Sequence, residues 1–292
     1  MKIALTGSSG FIGSSIAKNA VEQGHEIIAL VRDTSRRDHI EPFVSEFVIG
    51  EQNELETLQS FISEADVVIH NSFDWKSLKN ENLLLHLRSN LEGSIQLLKL
   101  SEQRQFIYMS SIAVHHHMHD KWNGLIDESH PTRPGSFYGA CKASIEAHLW
   151  AQATEGQRVT AMRPCAVYGI DPNIERSIGY PIIRKLEEGA SFTKLGGGKF
   201  VHVEDVAKAT ISAMNNSKAY SSVYNLVDCY ARWSDWAQIA SEELGINAEI
   251  DFSSSQHPNN NFDTSDVSNE LGIGLNRGFE GIRAQIRDII DY

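Results

Sequence analysis

The stretch KIALTGSSGFIG, residues 2–13, constrains this chain more than any other. An apolar run over 2–6 leads into Gly7, Gly10 and Gly13, and a helical pattern follows over 11–22. Gly7 permits a tight turn, Gly10 lets the backbone approach a pyrophosphate, and Gly13 lets the helix pack closely on the sheet. The helix N-terminus then offers free N–H groups and a positive dipole end to phosphates. Glycines in a turn carry little on their own. Set between a first strand and a first helix, with a second strand to follow, they point to a bound dinucleotide.

Strands are expected at 2–6, 26–31, 46–50, 66–71, 105–110 and 159–163, with helices at 11–22, 54–63 and 83–102. Near-continuous apolar strands alternating with helices predict a parallel sheet covered on both faces, and right-handed crossovers make it doubly wound. After residue 163 the pattern turns irregular, with helices expected near 205–215, 234–244 and 278–290. The SSSQHPNNNFD patch at 253–263 reads as a polar loop.

Composition removes several classes of function. The 292 residues are 41% hydrophobic with a formal net charge of −12. That suits one large domain, or a main domain with a smaller one, and makes nucleic acid or an anionic membrane a poor partner. No run is long and apolar enough to span a bilayer and no signal core opens the chain, so a cytoplasmic protein is expected. Cys141, Cys165 and Cys229 are widely spaced, without a disulfide or zinc pattern. No metal site is expected. HHHMHDKW at 115–122 holds four histidines, but consecutive loop residues make poor tetrahedral ligands, and a loop at the mouth of a substrate site is the better reading.

Tyr138 and Lys142, within PGSFYGACKASIEAHLW (134–150), stand four apart on an expected helix and so share one face. A free phenol titrates near pH ~10. A nearby ammonium favours phenolate and brings that value towards the working range. Alone, such a pair is as readily a packing aromatic beside a solvated cation; with the glycine turn it points to proton transfer.

Together these features resemble the short-chain dehydrogenase/reductase superfamily, in its extended branch, the NAD(P)-dependent epimerase/dehydratase family. The G-x-x-G-x-x-G spacing, DVVIHN (66–71), SNLEGS (89–94), YMSSIAV (108–114), MRPCAVYG (162–169) and FVHVEDVAKA (200–209) carry the likeness across nearly the whole chain. The resemblance implies a Rossmann domain (1–166 and 201–227) with a smaller mixed substrate lobe (167–200 and 228–292). It implies an enzyme that transfers a hydride at a hydroxyl or carbonyl carbon of a sugar, nucleotide sugar or other small substrate. It selects Ser111 over Ser110 to polarise the substrate oxygen, Tyr138 to carry the proton, and Lys142 to tune Tyr138 and bind the nicotinamide ribose.

Cofactor contacts implied in the same way are Gly7, Gly10, Phe11, Ile12, Gly13, Glu51, Asn71, Ser72, Asn90, Tyr138, Lys142 and Cys165. The position of the usual ribose-binding acid is Val31, followed by Arg32, so NADP(H) is expected with Arg32 at the 2′-phosphate. Asp33 turning in to bind NAD is the open alternative. Trp75, His115, Tyr168, Arg176, Tyr180, Arg184, His202 and Trp233 fall in the family's substrate segments.

Some positions depart from the family. Ser72 and Phe73 replace small residues, Ala166 replaces an asparagine, and LGGGKFVHVED is short, with Lys199 where a diphosphate-gripping cation would fall. The first departure bears on the nicotinamide side of the site; Ala166 and the short segment loosen the link to nucleotide sugars. A homodimer through 83–102 and 138–154 is also implied. Two rivals stay open: an epimerase or dehydratase that retains NAD(P), and a cofactor-sensing module without turnover.

Overall fold

The computed structural model describes residues 1–79, 82–116 and 124–292. Its strands are β1 (Lys2–Thr6), β2 (Glu26–Val31), β3 (Glu46–Ile49), β4 (Val67–His70), β5 (Gln105–Met109), β6 (Leu125–Ile126), β7 (Val159–Pro164), β8 (Ala166–Tyr168), β9 (Gly197–His202), β10 (Ser222–Leu226), β11 (Cys229–Arg232) and β12 (Asn261–Phe262). Its helices are α1 (Phe11–Glu22), α2 (Leu55–Ile62), α3 (Trp75–Lys79), α4 (Leu83–His86), α5 (Gly93–Leu100), α6 (Phe137–Thr154), α7 (Tyr180–Glu187), α8 (Val203–Ser212), α9 (Trp233–Leu244), α10 (Ser265–Leu271) and α11 (Gly278–Ile290). No described helix is long and apolar enough to cross a membrane.

Seven strands form one parallel sheet in the order β10-β7-β5-β4-β1-β2-β3. The chain runs outward from β1 through β2 to β3, then crosses to β4 on the other flank of β1. That reversal is the doubly wound arrangement expected from the alternating pattern, and it opens a crevice at the carboxyl ends of β1 and β4. The inner strands β1, β2, β4, β5 and β7 are buried on both faces, which explains their unbroken apolar runs, while the edge strand β3 is partly exposed. One face is covered by α1 and α8, through Ile16, Ala17, Ala20, Val206 and Ala209. The other is covered by α2, α5 and α6, through Leu58, Phe61, Leu97, Ile145 and Leu149. Full burial of Ile145 or Leu149 stabilises the fold by about 1.5–3 kcal/mol each.

A second, smaller sheet has the order β11-β9-β8, with β9 antiparallel to β11 and parallel to β8. It is the mixed sheet expected of the C-terminal lobe, and it packs with α7, α9 and α11 around Tyr168, Phe200, Trp236, Ile282 and Ile286. Helix α7 was not expected. Its YPIIRKLE run is short, and its proline lies in the first turn, where no N–H is required. The expected 83–102 helix is interrupted by a π-helical stretch over Leu87–Glu92. The polar 253–263 segment carries β12, which pairs Asn261 with Leu125 and Phe262 with Ile126.

Where β10 meets the loop after β6, Glu128 accepts the Asn225 N–H at 2.8 Å. Burial, reinforced by Asp266 and Asp263, pushes its carboxyl up to about 7, against the Asn225 bond. Between pH 4.5 and 7 the folded chain therefore holds a proton that the unfolded chain has released. Stability falls as pH rises through that window. Glu128→Gln keeps an acceptor and removes the charge. Urea unfolding should show the variant gaining on wild type by on the order of 2–3 kcal/mol at pH 8 and by little at pH 4.5; an equal difference at both pH values would contradict this.

Candidate active site

A cleft of about 410 Å³ opens at the switch point between β1 and β4. Its floor is the glycine turn. Gly7 has φ +69°, and a Cβ there would lie 2.9 Å from the Ser72 backbone. A Cβ on Gly13 would come within 2.0 Å of the Gly7 carbonyl oxygen, so only glycine lets α1 start this close to the turn. No side chain caps α1 at Gly10. The N–H groups of Phe11, Ile12 and Gly13 thus open the helix without intrahelical partners, and they fit a pyrophosphate.

A buried polar chain holds the turn against β4. Thr6 Oγ1 accepts the N–H groups of Asn71 and Ser72, each at 3.1 Å, so its own proton goes to His70 Nδ1 at 2.8 Å. The His70 ring proton is then on Nε2, donated to Ser94 Oγ at 2.7 Å. Ser94 passes its proton to the Asn90 carbonyl at 2.5 Å. Burial, then the charge of Lys142, drive His70 down to about 3, so the ring is neutral. Asn90 sits behind the cleft wall rather than in it. Its Oδ1 accepts the Asp74 N–H at 2.6 Å and its Nδ2 donates to the Asp74 carbonyl at 3.1 Å.

Helix α6 begins at Ser136, whose hydroxyl caps the Gly139 N–H at 3.1 Å. One stripe of the helix, Cys141, Ile145 and Leu149, enters the core. The neighbouring stripe is Tyr138, Lys142 and Glu146, at the four-residue repeat of one face. Lys142 is buried and donates to the Met109 carbonyl at 2.6 Å. Its ammonium lies 4.7 Å from the Tyr108 ring centroid and 5.2 Å from that of Phe73. Burial lowers it to about 8, against the opposing pull of Cys141 and Glu146.

For Tyr138 the balance differs from the expectation that Lys142 would lower its pKa. Burial raises the phenol, and the Ser111 hydroxyl acts in the opposite sense. The Lys142 ammonium is 5.8 Å from the Tyr138 ring centroid and is engaged by the Met109 carbonyl. Tyr138 is therefore a protonated phenol at neutral pH.

Behind this group, Glu146 and Arg163 form a buried bidentate pair at 3.0 and 2.7 Å. Ser110 donates to the same carboxylate at 2.5 Å. Arg163 also donates to His115 Nε2 at 2.9 Å, so His115 Nδ1–H faces the Pro131 carbonyl at 3.3 Å. Burial, then Arg163, lower His115 to about 4. Glu146 was missed from the sequence, although it continues the Tyr138–Lys142 repeat by four more residues.

Ser111, Tyr138 and Lys142 line the cleft together with Gly7, Gly10, Phe11, Ile12, Arg32, Glu51, Asn71, Ser72, Trp75 and Cys165. Gly13 lies beneath it. The other expected substrate residues are elsewhere. His115 is tied to Arg163, and Tyr168 is fully buried in the C-terminal core with His202 edge-on at 5.0 Å. Arg184 pairs with Glu187 and covers Tyr180, Arg176 is exposed in a 3-10 turn, and Trp233 stands under the Lys194 ammonium at 3.5 Å. Residues 117–122 of the histidine run lie outside the described residues. Asp74 also lines the cleft and was missed; its signal is an aspartate directly before WKS, where it caps α3 through the Lys76 and Ser77 N–H groups at 3.1 and 3.3 Å.

Residues 3–226 match the NAD dependent epimerase/dehydratase family. A putative dihydroflavonol 4-reductase of Synechocystis is 25% identical over 221 residues, 73% of this chain but only 63% of the relative's length. A putative UDP-glucose 4-epimerase of Methanocaldococcus jannaschii is 29% identical, over 73% of each chain. Among solved structures, the UDP-glucose 4-epimerase of Thermotoga maritima with UDP-glucose superposes with a TM-score of 0.82 at 21% identity, covering 100% of this chain and 99% of that one. At that identity the likeness is one of fold.

The Glu146–Arg163 pair permits a stability test. Glu146→Leu alone strands a buried guanidinium and should cost about 3–5 kcal/mol in chemical denaturation, whereas Glu146→Leu with Arg163→Met should recover most of the loss. Equal losses in the single and double variants would show that the pair is not coupled.

Proposed function

This chain belongs to the NAD dependent epimerase/dehydratase family, and on that premise we propose that it is an NAD(P)-dependent oxidoreductase. It moves a hydride at a hydroxyl or carbonyl carbon of a sugar, nucleotide sugar or other small substrate. The observation that carries this reading is that Ser111, Tyr138 and Lys142, far apart in the chain, line the same cleft as the glycine turn.

In the reducing direction Tyr138, a neutral phenol, gives its proton to the carbonyl oxygen. Ser111 donates its one proton as a hydrogen bond to that oxygen. Lys142 would offset the phenolate charge and, with one N–H held by Met109, would offer the others to the nicotinamide ribose. The dinucleotide, when bound, supplies the hydride. The N–H groups of Phe11, Ile12 and Gly13 would hold its pyrophosphate, and Glu51, Asn71, Ser72 and Cys165, which line the same cleft, would contact the rest of it. NADP(H) is the preferred form. In support, Arg32 lines the cleft beside Ser9 and Ser35 and makes no ion pair among the described residues, whereas Arg36 is taken by Asp38 at 2.8 Å.

The names of the Methanocaldococcus and Thermotoga relatives favour a rival, an epimerase that retains its dinucleotide and uses the same three side chains. Net consumption of NADPH excludes it. The reading includes a cytoplasmic homodimer. In support of the dimer, Leu84, Leu87, Leu91 and Ile95 line a groove along the 83–96 helical run, with Leu84 67% exposed.

Tyr138→Phe should lower kcat by about 10²–10⁴-fold while the dinucleotide Kd, measured by titration of bound-cofactor fluorescence, stays close to wild type. Turnover at the wild-type rate would end the assignment. Arg32→Ala should weaken NADPH binding about tenfold, or ~1.4 kcal/mol, with a much smaller effect on NADH; equal losses for the two cofactors would remove Arg32 from the 2′-phosphate site.

A further inference from the structure

The segment after β4 places two aromatic rings on Tyr138. The Trp75 indole stacks on the phenol with centroids 4.9 Å apart and planes 23° from parallel. Phe73 meets the same phenol edge-on at 5.0 Å and lies 4.8 Å from Trp75. The segment is fixed between the two rings. The Asn90 amide holds both the N–H and the carbonyl of Asp74, and the Asp74 carboxylate accepts from Ser89 at 2.8 Å as well as capping α3. Trp75 is nevertheless 52% exposed. A half-exposed indole on a clamped segment contributes little to the core; its packing is directed at one partner.

That partner has a defined electrostatic setting. From its own helix Tyr138 faces Cys141 and Lys142; from β5 it faces Tyr108, and from the following turn Ser111. His70 stays neutral beside Lys142, and Asp74 points its carboxylate to Ser89 and the start of α3. The Lys142 ammonium donates to the Met109 carbonyl and lies 5.8 Å from the Tyr138 ring centroid. Burial is the largest influence on the phenol, ahead of Ser111 and Cys141, and the indole lies stacked against one face of the ring.

We infer that Trp75 is a positioning residue for Tyr138: its indole shuts water from one face of the phenol and, with Phe73, holds the hydroxyl beside Ser111 as a neutral proton donor. Its part in turnover rests on the reading that Tyr138 transfers the proton; the packing itself does not.

The test is a pH titration of protein labelled with 13C at the tyrosine ζ-carbon, the Tyr138 signal being assigned by its loss in Tyr138→Phe. Trp75→Ala and Trp75→Leu should each shift the Tyr138 midpoint down by about one pH unit, because the phenolate gains hydration, and Trp75→Phe should retain most of the wild-type value. In carbonyl reduction the high-pH limb of kcat should move by the same amount in the same order of variants. A midpoint unchanged in both Trp75→Ala and Trp75→Leu would overturn the inference. So would a Trp75→Phe midpoint no higher than that of Trp75→Ala. A wild-type protein that reduces no carbonyl compound would instead overturn the proposed reaction, and the carbon titration would still decide the role of Trp75.

Discussion

A buried ammonium governs the Tyr138 end of the cleft. Lys142 is 3% exposed, and a charge that far from water persists only with compensation. The Met109 carbonyl supplies one partner, and the faces of Tyr108 and Phe73 supply a diffuse one. Its neighbours adapt to it. His70 is kept neutral, and Glu146 is drawn to Arg163 instead of to Lys142. The aromatic Phe73 serves both the ammonium and the edge of Tyr138.

The rest of the site is a frame that makes such a placement repeatable. The glycine turn, the end of β4 and the π-helical stretch are joined through Thr6, His70, Ser94 and Asn90, each hydroxyl and ring proton meeting one acceptor. A satisfied chain of this kind fixes geometry more than it adds net stability. It ties the glycine turn to the segment that bears Trp75.

Much of this was legible in the sequence, and the limits have physical causes. Strand β1 and helices α1 and α11 fall on the expected residues, because apolar period and flanking glycines report burial directly. The π-helical stretch at 87–92 was not legible; Asn90 within it bonds the Asp74 peptide, a contact that local sequence does not report. The direction of the Tyr138 shift was misjudged for a similar reason. Sequence spacing places Lys142 on the same face, but whether its charge outweighs burial depends on where the ammonium points, and it points to Met109. The C-terminal substrate candidates failed to gather because residues such as Tyr168 and Trp233 read alike as pocket or core, and here they pack within their own lobe.

A crystal structure of the complex with NADPH tests the account most directly. The account predicts the pyrophosphate on the N–H groups opening α1 and the nicotinamide at the Tyr138 end, with space for a carbonyl oxygen about 3 Å from both the Tyr138 and Ser111 hydroxyls. A nicotinamide lying outside the cleft, or a Tyr138 hydroxyl directed away from it, would contradict the account.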